Sequence, residues 1–472
     1  MLFRSTDGIE GGRELFAMIP HALFEGPDGN PEVSGLQALA RKTYAHRYYM
    51  NATPEIRDVD FARTGGKLDS FPPGLAPDWR TLMVVGQGKG GRSFVAMDVT
   101  RIAASGSEAD IAQKVLWEFT HPDMGFSFGR PLIAKTRRWG WVVIVTGGYN
   151  NTRGKQPGRG ALFVLNARTG ALLTEHPLYT AGGTATSPSG LAQIEGYTPS
   201  YQDYTLDYVY GGDLDGNLWR FDFTRADGDL PTVVKLAEFI VDGRRQPVTV
   251  APKIEYSAED LKRYVFVGTG RLLAPEDLAN SQPHTLYAVR DGTKSRAYGD
   301  EAYQAPLPDG ASFPVTRAML SPVTDLIAGA RLQSSTPMGW YTDLSGRFLP
   351  GDGKAPVTER VVLNLQANDG VLSWVGSLLN DDPCNASGTA RVYAVHYGNG
   401  QSILSTLVDG LTARSRWIEV KEAGLADTTL VRVGASIRIL GTDLKGVSRM
   451  YGSAVAEAGH PRVVNWRIIR DQ

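Results

Sequence analysis

The sequence predicts an all-β fold assembled from repeated small sheets, and three observations carry that prediction. One strand core recurs along the chain. Its fullest copy is Leu218-Trp-Arg-Phe-Asp222, relatives begin at Phe94, Leu162, Leu286 and Val392, and weaker copies begin at Leu2 and Trp340. Turn formers are abundant, with 54 Gly and 27 Pro in 472 residues, which suits short strands better than long helices. No heptad or sustained helical period runs through the apolar residues. Seven copies of one hairpin-like unit, each too small to bury both faces of its sheet, must stack on their neighbours, and a ring removes the unstacked ends. The expected architecture is therefore a modified seven-bladed β-propeller with long inter-strand loops, spanning 1–472 as one domain.

Residues 1–50 read as a hairpin, with Glu14-Leu-Phe-Ala-Met-Ile19 as its second strand, then a Gly/Pro loop and a short helix over 34–41. The chain begins inside this hairpin, which suggests a fragment of a longer protein. Trp79-Arg-Thr-Leu-Met-Val-Val85 leads into Gly86-Gln-Gly-Lys-Gly-Gly91. That cluster has the spacing of a dinucleotide loop, but it opens into the β-rich Phe94-Val-Ala-Met-Asp98 rather than a helix, so a hairpin turn is expected. Trp141-Val-Val-Ile-Val-Thr146 is a fully apolar strand. In the run 209–223, Asp215-Gly216-Asn217 supplies the tight turn. Residues 275–279 read as a short helix, 295–335 as a long inter-strand excursion, 431–440 as a strand, and 463–469 as a last strand pairing with the N-terminal hairpin.

Composition excludes several function classes. A net charge of −1 offers no basic footprint for nucleic acid. No apolar run reaches the length of a transmembrane helix, and no signal peptide is visible. The single cysteine, Cys384, rules out an internal disulfide framework and reads as a loop thiol. The seven histidines show no metal-ligand spacing, and no nucleophile elbow is present. The pairs Asp58/Asp60 and Asp213/Asp215 have the i, i+2 spacing that puts two carboxylates on one strand face, as a glycosidase needs, but turn capping accounts for them as well.

These motifs in this order resemble a known family. Gly12-Arg-Glu-Leu-Phe-Ala-Met-Ile-Pro20, Tyr44-Ala-His-Arg-Tyr-Tyr49, Val85-Gly-Gln-Gly-Lys-Gly-Gly91, Val145-Thr-Gly-Gly-Tyr-Asn150, Ser189-Gly-Leu-Ala192 and Val209-Tyr-Gly-Gly-Asp-Leu-Asp-Gly-Asn-Leu-Trp-Arg-Phe-Asp222 are similar to the β-propeller domain of the PilC/PilY proteins, adhesins associated with the tip and biogenesis of bacterial type IV pili. The resemblance implies a non-catalytic pilus-associated protein that supports pilus biogenesis, twitching motility and adhesion. It implies the C-terminal part of a longer surface protein, exported through the periplasm and outer membrane to the cell surface or pilus tip. Minor pilins, the pilus machinery, and host-cell or abiotic surfaces would be its partners. A quinoprotein-like propeller enzyme and a purely structural scaffold that docks minor pilins are the alternatives.

The resemblance also implies a calcium loop just before Tyr210-Gly-Gly-Asp-Leu214. Carried onto this chain, its five ligand positions are Pro199, Tyr201, Asp203, Thr205 and Asp207. The first two lack carboxylates, which leaves Asp203, Asp207 and the Thr205 carbonyl. Calcium takes about 6–8 oxygens, and affinity falls as ligand charge is removed. Two readings stand: a weak calcium site on Asp203, Thr205 and Asp207, or a turn capped by the two carboxylates with Tyr201, Tyr204 and Tyr208 packed over it.

Overall fold

A computed structural model of the chain describes residues 2–4, 13–43, 45–102, 107–199, 203–228, 230–257, 262–291, 312–330, 338–348, 357–368, 370–379, 388–408, 411–420, 424–433, 436–444 and 446–455. Nearly every element is a strand. The residues expected as a helix over 34–41 form a 3₁₀ turn at Leu36–Ala40, and Pro275–Ala279 is another. Among the described residues the α-helices are short, Ala22–Glu25 and Glu108–Ala112; the second is closed by a capping box between Ser107 and Asp110.

Among the described residues, six sheets of three to five strands succeed one another along the chain. Sheet A comprises Glu55–Asp60, Trp79–Gly86, Ser93–Asp98 and Val115–Thr120. Sheet B comprises Leu132–Thr136, Gly140–Thr146, Ala161–Asn166 and Leu178–Tyr179. Sheet C comprises Ile194–Tyr197, Tyr208–Gly212, Asn217–Asp222 and Thr232–Glu238. Sheet D comprises Lys253–Ser257, Lys262–Gly268, Thr285–Arg290 and Gly339–Asp343, with Ser321–Pro322 added in parallel at its edge. Sheet E comprises Gln366–Asn368, Val371–Leu379, Gly388–His396 and Ile418–Val420. Sheet F has three strands, Leu425–Val433, Ser436–Asp443 and Ser448–Val455. The first strands of A to F neighbour one another in that order along an inner wall. Antiparallel pairing then runs outward within each sheet, which makes the domain propeller-type.

The five strong copies of the repeated core are the third strands of sheets A to E. Third strands are covered on both faces, so large apolar residues recur in their sequences. Period-two alternation divides Leu218-Trp-Arg-Phe-Asp222 between two neighbours. Trp219 and Phe221 pack in the core shared with sheet B, and Leu218 packs in the one shared with sheet D. The weak copies do not mark separate units of the same kind. Trp340 lies in the fourth strand of sheet D, where it pairs with Ala288 on the third strand, so the copies at 286 and 340 belong to one sheet. Leu2 lies in a two-stranded hairpin, Leu2–Arg4 with Arg13–Phe16. The run 431–440 is likewise not one strand, because it joins the ends of the first two strands of sheet F. Residues 463–469 lie outside the described residues.

Hydrophobic cores sit between consecutive sheets rather than within them. Phe94 and Trp117 of sheet A meet Val143 and Phe163 of sheet B; Tyr264 and Trp340 of D meet Trp374 and Tyr393 of E. Sheet F stacks on E through Leu425, Ile437 and Ile439. The described part of the 295–335 excursion is a buried strap and not a projecting loop. Val315 bridges to Ala237 on the outer strand of sheet C, Ser321–Pro322 edges sheet D, and Leu320, Val323 and Leu326 are buried. It covers sheet edges that would otherwise expose unpaired backbone. Residues 292–311 and 331–337 lie outside the described residues.

Candidate functional site

The loop that carries the expected calcium donors, 198–207, connects the first two strands of sheet C. Its end is pinned to sheet B: Thr205 forms a parallel bridge with Lys135, and the Leu206 N–H donates to the Lys135 carbonyl at 2.8 Å. Asp203 is exposed, and its Oδ1 accepts from the Thr205 N–H at 2.9 Å, an Asx-type turn. Tyr204 within that turn has φ +54°, a left-handed conformation. Thr205 and Asp207 are buried. The Asp207 Oδ1 accepts from Arg137 Nη1 at 2.5 Å, and the Asp207 carbonyl accepts from the Phe223 N–H.

Two cations therefore attend the two carboxylates. Arg137 is bonded to Asp207, and the Asp203 charge acts on Lys135, whose ammonium pKa is lowered by burial and partly restored by that carboxylate. The charge of the two described carboxylates is thus balanced by a guanidinium and an ammonium. Among the described residues no three His, Cys, Asp or Glu side chains converge to hold a metal. Of the expected ligand positions, Tyr201 lies outside the described residues. Of the expected tyrosine cover, Tyr201 likewise lies outside the described residues, Tyr204 is half exposed, and Tyr208 is buried against Tyr210 and Arg263. Sequence reasoning missed Arg137 and Lys135 because they sit in the preceding repeat; the basic run Lys135-Thr-Arg-Arg138 was the available signal.

Asp213, Asp60 and Asp58 of the other candidate carboxylates are bound within the fold. Asp213 is buried and accepts from the Asn217 N–H, Asn217 Nδ2 and Trp219 Nε1 at 2.8–3.2 Å. Burial pushes its carboxyl up to about 6, against those donors. Asp60 accepts from the Ala62 and Asp78 N–H groups and pairs with Arg63, while Asp58 accepts from Thr81 Oγ1. Gly86–Gly91 is a hairpin turn, as expected, joining the second and third strands of sheet A. A Cβ on Gly90 would lie 2.1 Å from the Tyr49 carbonyl, so this glycine is required for the strap around Tyr49 to lie down.

Charged residues also line the inner wall. Arg130 Nε donates to Glu55 at 2.7 Å, and Lys253 lies 3.8 Å from Glu195. Burial raises the Glu195 carboxyl pKa, with Lys253 and Arg130 opposing. Two clefts open between sheets. One, between A and B, is lined by Asp78, Arg80, Asp98 and Arg168; the other, between D and E, by Tyr341, Tyr393, Arg416 and Trp417. In the first, Arg80 pairs with both Asp78 and Asp98. The second is aromatic, with Arg416 held by Asp325.

The PilY1 β-propeller domain model matches residues 1–301. The type IV pilus biogenesis factor PilY1 of Pseudomonas aeruginosa (strain UCBPP-PA14) is 26% identical over 465 residues, covering 89% of this chain and 36% of that protein. A PilY1 homolog of Xylella fastidiosa is 28% identical over 360 residues, covering 71% of this chain and 21% of its own length. The chain thus spans about a third or less of these curated relatives. The crystal structure of the Pseudomonas aeruginosa PilY1 C-terminal domain aligns with a TM-score of 0.62 at 22% identity, over 93% of this chain and 88% of that one, which shows a shared fold.

Proposed function

Since the chain belongs to the PilY1 β-propeller family, we propose that it is a non-catalytic domain of a pilus-associated surface protein that supports type IV pilus biogenesis and adhesion. The family match carries this reading. The internal neutralisation of its acidic groups supports it: Asp60, Asp207, Asp213, Asp291 and Glu359 each accept from donors of the fold itself. The propeller acts through its surface, at the pilus tip or cell exterior, with minor pilins and the pilus machinery as partners. A clean deletion of the locus should abolish surface pili, twitching and pilus-dependent adhesion, each restored by complementation. Normal piliation and adhesion in the deletion strain would refute the reading. Loss of pili with adhesion retained would leave biogenesis and refute the adhesive role.

Ring closure belongs to the same proposal. Seven units, the N-terminal hairpin and sheets A to F, would complete the circle. On sheet F the face opposite Ile437 and Ile439 exposes Val431, Leu440 and Met450, and Leu440 pairs directly with Met450. A neighbouring sheet would cover such a face. Residues 463–469 are the proposed partner strand of the hairpin. Deleting 456–472 should lower Tm and increase dye binding to exposed apolar surface; unchanged melting would sink the closure.

A further inference from the structure

The loop at 203–207 has the form of a clamp between sheets B and C, and the cation that closes it belongs to the protein. We propose that Arg137 is the resident cation of this loop, so that the B–C clamp is held by a guanidinium and is indifferent to calcium.

Four observations converge on this. Asp207 is buried, with its side chain 5% exposed, where a carboxylate charge is costly unless it is paired. Arg137, only 23% exposed, places Nη1 at 2.5 Å from its Oδ1 and lies on the turn between the first two strands of sheet B. The backbone also ties the same two sheets, through one parallel bridge. Thr205 bridges Lys135, and the Leu206 N–H donates to the Lys135 carbonyl, so the carboxylate and the guanidinium meet in a fixed register. Asp203, the remaining carboxylate, spends Oδ1 on the Thr205 N–H and lies in the field of Lys135. A calcium ion entering here would meet two positive side chains and two carboxylates already compensated. Its affinity rises with ligand charge, and the net charge of these four groups is zero. A planar guanidinium supplies directed donors to the carboxylate without needing a shell of six or more oxygens.

The test uses the purified 472-residue chain. Its melting curve is recorded in EGTA and in 5 mM calcium chloride, alongside calorimetric titration with calcium. The same melts are run on Arg137→Ala and on Arg137→Lys. The wild-type Tm should be the same in both buffers, and titration should give no saturable heat. Arg137→Ala should melt lower by roughly 2–4 °C, and Arg137→Lys by less, because lysine keeps a positive charge beside the buried carboxylate. Calcium binding to the wild type, or a calcium-dependent rise in its Tm, would overturn the proposal; so would an Arg137→Ala protein that melts with the wild type. Should Arg137→Ala fail to fold, the wild-type titration and the Lys variant still decide the matter.

Discussion

The junction between sheets A and B and the junction between sheets C and D do the same job with different chemistry. At A–B the contact is apolar: Leu82, Val84, Phe94 and Trp117 meet Ile133, Val143, Val145 and Phe163, and the polar edge of Trp117, its Nε1, donates to the Ala167 carbonyl at 3.1 Å. At C–D an ionic cluster is set into the apolar one. Asp291, fully buried, accepts from Arg220 of sheet C, from Arg263 of sheet D at 2.5 Å, and from the Tyr210 hydroxyl. The Arg263 guanidinium also lies 4.5 Å from the Tyr197 ring centroid and 4.4 Å from that of Tyr208. Dispersion and desolvation hold the first junction, and losing a methyl costs in proportion to the space left. The second works only as a complete set, because removing one member strands a charge out of water.

The largest expected effect comes from breaking that set. Asp291→Ala leaves Arg220 and Arg263 buried without their shared carboxylate and should cost about 3–5 kcal/mol, read as a lower urea midpoint. Raising the salt concentration should restore little of it, since screening reaches buried charge poorly.

A smaller effect tests a titrating group beside the D–E junction. Burial, with Arg360 nearby, holds the His284 imidazole down to about 3. Its unfolded value is about 6.5, so the folded chain resists a proton that the unfolded chain accepts. Its contribution is therefore whole above pH 6.5 and is lost as pH falls from 6.5 towards 3, by up to about 1.4 kcal/mol per pH unit. Asp213, with its carboxyl raised to about 6, works in the opposite sense, its contribution being lost as pH rises from about 4 through 6. The difference between wild type and His284→Leu isolates the histidine. The gap in stability between the two should shift in favour of the variant by about 2 kcal/mol between pH 7 and pH 5, and parallel pH profiles would contradict this.

At the apolar junction the change is gentler. Ile133→Val should cost about 1 kcal/mol in the same urea experiment, and a loss as large as that of Asp291→Ala would erase the contrast between the junctions. The smallest effect is expected at the surface. Lys67 and Asp227 pair while exposed by 45% and 71%, so Lys67→Ala should move Tm within measurement error.

Burial also governs how legible each strand is in the sequence. Apolar third strands stand out because both faces of each are covered, which makes Phe94, Leu162, Leu218, Leu286 and Val392 start visibly similar runs. The same signal misleads at Trp340. The fourth strand of sheet D, edged by the 312–330 strap, carries Trp340 and Tyr341, so two strands of sheet D look like two units. Sheet F lacks the signal for the opposite reason: one of its faces is exposed, and polar residues alternate through it.

By itself the sequence determined the β class, the turns at Gly86–Gly91 and Asp215–Asn217, the repeat, and the family to which they belong, because these depend on residues adjacent in the chain or on period-two burial. Only the tertiary structure decided which charges meet. Arg137 is 70 residues from Asp207, and Arg220 is 71 from Asp291. No local pattern announces such pairs: each is made by one sheet stacking on the next, and the low dielectric between sheets then selects the partner.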